Sequence, residues 1–189
     1  MTDRDSLHER GRALEEEYFR KKDRELVEKM QAAAREEETR RDLSTRTGLQ
    51  DPALLQELQA LGFTPETVSL LPLVPVVLVA WAEGGVTAAE RTALVTLARS
   101  RGIDAGSAAD AQLSQWLETR PPDTVFASAT RLIRAMLDAS EQPGITADDL
   151  VAYCERIAAA SGGLLGIRSV SAEERALLSS IAADLKGRA

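Results

Sequence analysis

The sequence begins a helix in the same way twice. Thr87-Ala-Ala-Glu-Arg91 is matched 84 residues later by Ser171-Ala-Glu-Glu-Arg175. In both stretches a hydroxyl side chain lies three residues before a glutamate, which is the spacing of a capping box at a helix N-terminus. A glycine pair precedes each start, at Gly84-Gly85 and at Gly162-Gly163. This repeat predicts two related helical hairpins, each of which buries one apolar stripe against the other.

Helix boundaries are marked along the rest of the chain in a similar way. Asp51-Pro52 places a capping carboxylate before a proline, and Gly62 and Gly102 stand where helices are expected to end. Over residues 123–140 the apolar side chains recur at spacings of three and four, which indicates an amphipathic α-helix. No segment alternates as a strand does, and only 4% of the residues are aromatic. We therefore predict an all-α protein, a compact helical bundle of two related helical-hairpin halves.

Residues 1–46 differ from the rest of the chain. They contain twelve Lys or Arg and thirteen Asp or Glu, and the first proline is Pro52. Such a segment can form a long solvated helix with opposite charges one turn apart. The sequence therefore predicts two domains, a charged helical extension over residues 1–47 and a helical domain over residues 48–189.

The apolar residues of the extension form two partial stripes that change face after Tyr18. Phe19, Leu26 and Met30 belong to the second stripe. Partial stripes of this kind fit a helix that docks on a surface better than a regular coiled coil, which has clean heptads. We predict that these three residues bind a protein partner or a second copy of the chain. The alternative is a charged, frayed extension with no specific partner.

The stretch Trp81-Ala-Glu-Gly-Gly-Val-Thr-Ala-Ala-Glu-Arg91 resembles the tellurite-resistance TerB family, whose helical hairpins carry an Ala-Asp-Gly turn, a hydrophobic residue and a helix-opening glutamate. The resemblance covers about residues 50–187. Glu83 stands at the family's Asp position in the first half, and Ser161 stands there in the second, where an insertion lengthens the turn. The resemblance implies a non-enzymatic role in tellurite or other chemical stress, with acidic helix ends that bind metal.

Glu83 and Glu90 flank the first glycine turn and form the candidate metal site. Two carboxylates around a tight turn can share a hard cation, and oxygen ligands favour Ca²⁺ or Mg²⁺. A cation would also offset the unfavourable position of Glu83 near a helix C-terminus. The alternative reading of Glu90 is a capping residue that accepts a hydrogen bond from the Thr87 amide.

The remaining residues give little support to catalysis. The single histidine, His8, lies in the charged extension, and the single cysteine, Cys154, lies on an apolar helical face. We expect no catalytic residues, no organic cofactor and a reducing, cytoplasmic location. The formal charge of −7 argues against nucleic-acid partners. The apolar run Leu70–Ala82 has 13 residues, fewer than the roughly 20 that span a bilayer, so we interpret it as a buried helix.

Two functions follow from these observations. The first is a TerB-like, non-enzymatic stress-response protein that binds a divalent cation and recruits partners. The second is an adaptor or regulatory protein that acts through its N-terminal charged helix.

Overall fold

The structure, a computed structural model, describes residues 3–139, 145–160 and 172–186, and side chains from residue 15 onward except over 172–174. Within these ranges the protein is helical and contains no strand. The prediction of an all-α helical bundle is confirmed. None of the described helices is long and apolar enough to cross a membrane.

Eight α-helices and one 3-10 helix make up the described part of the chain. They are α1 (Asp3–Thr47), α2 (Pro52–Ala60), the 3-10 helix (Val68–Leu73), α3 (Val74–Ala80), α4 (Ala88–Ser100), α5 (Ala108–Glu118), α6 (Asp123–Ala139), α7 (Ala147–Ala160) and α8 (Ala172–Lys186).

The ends of α2 show why the sequence folds locally as predicted. The Asp51 carboxylate accepts a hydrogen bond from the Ala53 amide at 2.9 Å, which caps the first turn. At the other end Gly62 has a φ of +84°, and Phe63 N donates to Leu58 O at 3.0 Å. This is a Schellman motif, which requires the left-handed conformation that glycine adopts without strain. Phe63 then enters the core.

The long apolar run is buried as predicted, but it is not one helix. Residues Val68–Leu73 form the 3-10 helix and residues Val74–Ala80 form α3. Pro72 and Pro75 explain the division, because proline has no amide hydrogen for the ladder and its ring clashes with the preceding turn. Buried side chains nevertheless face nearly every direction around this segment, so it lies in the centre of the bundle.

The helix pairings agree with two related hairpins. α3 packs against α7, and each of these also contacts the second helix of the other hairpin, so that α4 meets α7 and α8 meets α3. Exchanging α3 with α7 and α4 with α8 therefore gives the same set of pairs among these four helices, as two related hairpins would. α6 completes the core against α3 and α8. The second turn, with Ser161 and Gly162-Gly163, lies outside the described residues.

The chain divides into two compact units, Met1–Arg41 and Asp42–Ala189. The division falls inside α1, six residues before the end of the predicted extension at residue 47. Leu43 is fully buried, and Ser44 Oγ donates to Leu49 O at 2.6 Å. Thr47 is buried as well, and its hydroxyl donates to Leu43 O at 2.7 Å. The last turns of α1 thus belong to the second unit.

Candidate functional site

The predicted metal site is centred on the turn between α3 and α4. Glu83 is exposed in this turn, and Gly84 has a φ of +86° with its amide donating to Trp81 O at 3.0 Å. An exposed carboxylate on a turn is accessible to a cation from solvent. Glu83 therefore meets one requirement of the predicted site.

Glu90 has a structural role that the sequence had offered as the alternative. It is only 2% exposed, and its Oε2 accepts hydrogen bonds from Thr87 N at 2.7 Å and Thr87 Oγ1 at 2.8 Å. The Glu90 amide donates back to Thr87 Oγ1 at 3.2 Å, which completes the capping box. A cation at Glu90 would have to compete with Thr87 for this oxygen.

Among the residues that the structure describes, Glu83 and Glu90 are not part of a larger cluster of metal-binding side chains. Over the described ranges, no group of three or more His, Cys, Asp or Glu side chains is placed to hold a metal ion. Hard cations usually take six or more oxygen ligands, which water and main-chain carbonyls also provide. A shared cation at Glu83 and Glu90 therefore stays a prediction.

Two side chains beside the acidic turn cap the C-terminus of α5. Trp81 Nε1 donates to Trp116 O, and Arg91 Nη2 donates to Leu117 O, both at 2.8 Å. The last carbonyls of a helix lack intrahelical partners, and a cation there interacts favourably with the helix dipole. Neither bond has a signal in the sequence, because the partners are 35 and 26 residues apart. These bonds fix both sides of the turn to the rest of the bundle.

Other acids in the second unit also act as caps. Asp149 repeats the box at α7, where its Oδ2 accepts from Thr146 N at 2.9 Å and from Thr146 Oγ1 at 2.7 Å. The Thr146 hydroxyl is the main reason why the pKa of Asp149 is lowered. The carboxylate of Asp110 accepts from Gly106 N at 2.8 Å and from Arg99 Nη2 at 2.6 Å, and these bonds lower its pKa in that order of importance. Their geometry identifies them as structural carboxylates.

Cys154 lies in the core of the bundle, as the sequence predicted. Its side chain is fully buried on α7, and burial raises the pKa of its thiol to about 12. A thiol with so high a pKa is protonated at neutral pH and is a poor nucleophile. The side chain of His8 lies outside the described residues.

A groove in the second unit runs between α6 and α8. Leu78, Phe126 and Ile181 contribute apolar surface, while Arg134 and Asp138 bring opposite charges to its edge. The mixed charge selects neither an anionic nor a cationic ligand. The groove therefore does not indicate a class of ligand.

The first unit carries the predicted partner-binding residues, and they are exposed. Phe19 is 62%, Leu26 57% and Met30 65% accessible to solvent. Tyr18 and Val27 are exposed too, and the Tyr18 ring packs edge-on against Phe19 with centroids 5.9 Å apart. Sequence reasoning assigned Tyr18 to the other stripe and gave no role to Val27. We call Phe19, Leu26, Val27 and Met30 the α1 face.

No family model matches the chain, and no curated protein and no solved structure is significantly similar to it. The resemblance to the TerB family therefore depends on the residues around the glycine turn alone.

Proposed function

We propose that this protein is a non-enzymatic interaction protein whose binding surface is the α1 face. The supporting observation is the position of its exposed apolar side chains. Among the side chains that the structure describes, the large hydrophobic residues that are exposed belong to α1. Contiguous apolar surface on a water-exposed element is typical of sites that bind another protein.

The spacing of these residues fits recognition by a helix. Leu26 follows Phe19 by seven residues, and Met30 follows Leu26 by four. Side chains at these intervals lie along one side of an α-helix, so that a groove or a second helix can cover them together. Removing this apolar surface from water would contribute to binding at roughly 25 cal/mol per Å² before the costs of association.

The charges of the first unit explain how the helix persists with that surface exposed. Glu16 pairs with Arg20 at 3.0 Å, and Glu37 pairs with Arg40 at 2.9 Å and with Arg41 at 3.4 Å. Each such pair stabilises a helix by about 0.2–0.5 kcal/mol. Local ion pairs, together with good helix-forming residues, replace the tertiary packing that most helices need. The α1 face is thus left available for a partner.

The TerB-like role remains a separate hypothesis. It includes a function in chemical stress, a cytoplasmic location inferred from cysteine usage, and a divalent cation bound through Glu83 and Glu90. The exposure of Glu83 favours it, whereas the bonds of Glu90 to Thr87 are explained without a cation. The two hypotheses concern different units of the chain and can be tested independently.

Site-specific photocrosslinking tests the binding surface. A photoreactive phenylalanine analogue in place of Leu26 should form crosslinks in cells that express the full chain. The same analogue in place of Glu28, two residues away on the opposite side of the helix, is the matched control. Phe19→Glu with Met30→Glu should abolish the crosslinks from position 26. The melting temperature at low protein concentration should be unchanged, because both side chains are exposed. Equal crosslinking from positions 26 and 28, or none from either, contradicts the proposal.

A further inference from the structure

We propose that the α1 face binds the same face of a second copy of this chain, with the two helices antiparallel and centred near residues 28 and 29. This inference rests on the proposed function, since it names the partner of the surface described above. The apolar and charged residues are arranged symmetrically about that centre.

The apolar residues match one another in an antiparallel pair. Leu26 and Met30 each lie two residues from position 28. An antiparallel arrangement about that position places Leu26 of each helix against Met30 of the other. These two Leu26–Met30 contacts form the two central layers of the pair. Val27 then approaches Val27 of the second copy at the edge of these layers. The four exposed side chains of the two central layers cover one another.

The flanking charges are complementary in the same arrangement. Lys22 and Glu36 lie on the same side of the α1 face, each seven residues from Lys29. Antiparallel pairing therefore brings Lys22 of each copy opposite Glu36 of the other. Within their own helix, Lys22 pairs with Glu25 at 3.4 Å and Glu36 pairs with the half-buried Arg40 at 3.6 Å, but Lys22 and Glu36 themselves are exposed. Both side chains are accessible to a second copy.

The parallel arrangement is disfavoured by residues in the line of the α1 face. Asp23 and Glu37 lie on that line, between and after the apolar positions. A parallel pair in register would place Asp23 against Asp23 and Glu37 against Glu37, which brings like charges into the contact. An antiparallel pair places Asp23 opposite Ala33 and Glu37 opposite Phe19. Its single like-charge contact is Lys29 with Lys29, at its solvated edge. Water and salt weaken that repulsion.

Sedimentation equilibrium of the full chain tests the association. At tens of micromolar the mass should approach twice the 20.4 kDa of the monomer. Leu26→Glu with Met30→Glu should return the mass to that of the monomer. Gln31→Glu with Ala32→Glu adds the same charge away from the α1 face and should leave the dimer intact.

Charge exchange tests the orientation. Lys22→Glu and Glu36→Lys should each raise the dissociation constant of the dimer about tenfold, because each brings like charges together twice. The double exchange should restore it to within about threefold, since the new Glu and Lys again face each other in the antiparallel pair. Lys21→Glu and Glu28→Lys make the same charge changes on the opposite side of the helix and should have little effect.

The outcomes separate this inference from the function on which it rests. A monomer at every concentration overturns self-association. If position 26 then crosslinks a different protein, the proposed binding surface stands with another partner. The antiparallel pairing is overturned if Lys22→Glu leaves the dissociation constant of the dimer unchanged. It is also overturned if the double exchange fails to restore association. A monomer with no crosslinks from position 26 overturns both proposals.

Discussion

Leu26 and Leu43 belong to the same α-helix, yet Leu26 is 57% exposed and Leu43 is fully buried. The helix crosses from the first compact unit into the second between Arg41 and Asp42. In the first unit, exposed ion pairs and helix propensity support the backbone. In the second unit, the burial of apolar side chains stabilises the helix. A leucine of this helix is therefore a candidate binding residue in the first unit and a core residue in the second.

Truncation gives the largest expected contrast between the units. Removing residues 1–41 should preserve a cooperative melt of the second unit. Removing residues 1–46 should cost at least as much as a buried leucine, about 2–5 kcal/mol, because it deletes Leu43 and the hydrogen bond from Ser44 to Leu49. Thermal unfolding of the two truncated chains measures the difference. Equal stability of the two would show that the last turns of α1 are not part of the core.

Single leucine replacements make the same comparison within the intact chain. Leu43→Ala should lower the free energy of unfolding by about 2–5 kcal/mol, since it leaves a cavity in the bundle. Leu26→Ala should change it by less than about 0.5 kcal/mol, because exposed substitutions rarely matter more. Urea denaturation at low protein concentration provides the test and avoids any contribution from self-association. A large effect at Leu26 under these conditions would mean that the α1 face is packed within the monomer.

Removing a polar contact should lower the free energy of unfolding more in the second unit than in the first. Trp81→Phe replaces the indole with a smaller aromatic ring that has no N–H group. It leaves the Trp116 carbonyl without this donor, which should cost about 1–3 kcal/mol. Arg20→Gln removes the exposed pair with Glu16 and should cost a few tenths of a kcal/mol. Both values come from urea denaturation curves. If the two costs are similar, the capping of α5 by Trp81 contributes little.

The features that the sequence predicted are the ones encoded by neighbouring residues. The caps at Asp51 and Thr87 and the glycine stop at Gly62 each form within a few positions, so their spacing is visible in the sequence. The 3-10 segment was missed, although Pro72 and Pro75 were a usable signal for it.

Contacts between distant residues gave no such signal. Trp81 binds a carbonyl 35 residues away, and Arg131 pairs with Glu57 across 74 residues. The division inside α1 was also hidden, because charged residues continue through Arg46 while one leucine, Leu43, enters the core. The sequence also could not decide the role of Glu90. The same local spacing fits a capping residue and a metal ligand.

If the stability of the second unit depends on a divalent cation, that unit binds a ligand in addition to forming the hydrophobic core. If Glu83 and Glu90 share Ca²⁺ or Mg²⁺, the ion at ten times its dissociation constant should stabilise the fold by about 1.4 kcal/mol. Millimolar additions should then raise the melting temperature, and Glu83→Gln should remove the increase. The ion-free variant should be at least as stable as the unchanged protein, because the substitution removes a negative charge near a helix C-terminus. Asp104→Asn, an exposed acid in the next loop, is the control. No change with either ion leaves Glu90 as a cap alone.

The smallest expected effect concerns the exposed cap at Asp149. Its pKa is lowered from its usual 3.8, chiefly by the Thr146 hydroxyl, so the native state binds its proton less readily than the unfolded chain. The stabilisation is therefore present above about pH 4 and is lost as the pH falls through the native pKa. Asp149→Asn should flatten the stability curve slightly below pH 4, measured by thermal unfolding between pH 2 and pH 6. Thr146→Ala, which removes the hydroxyl and keeps the carboxylate, should flatten it in the same direction. If Thr146→Ala keeps the acid dependence of the unchanged chain, the hydroxyl bond at this exposed cap does not favour the ionised carboxylate.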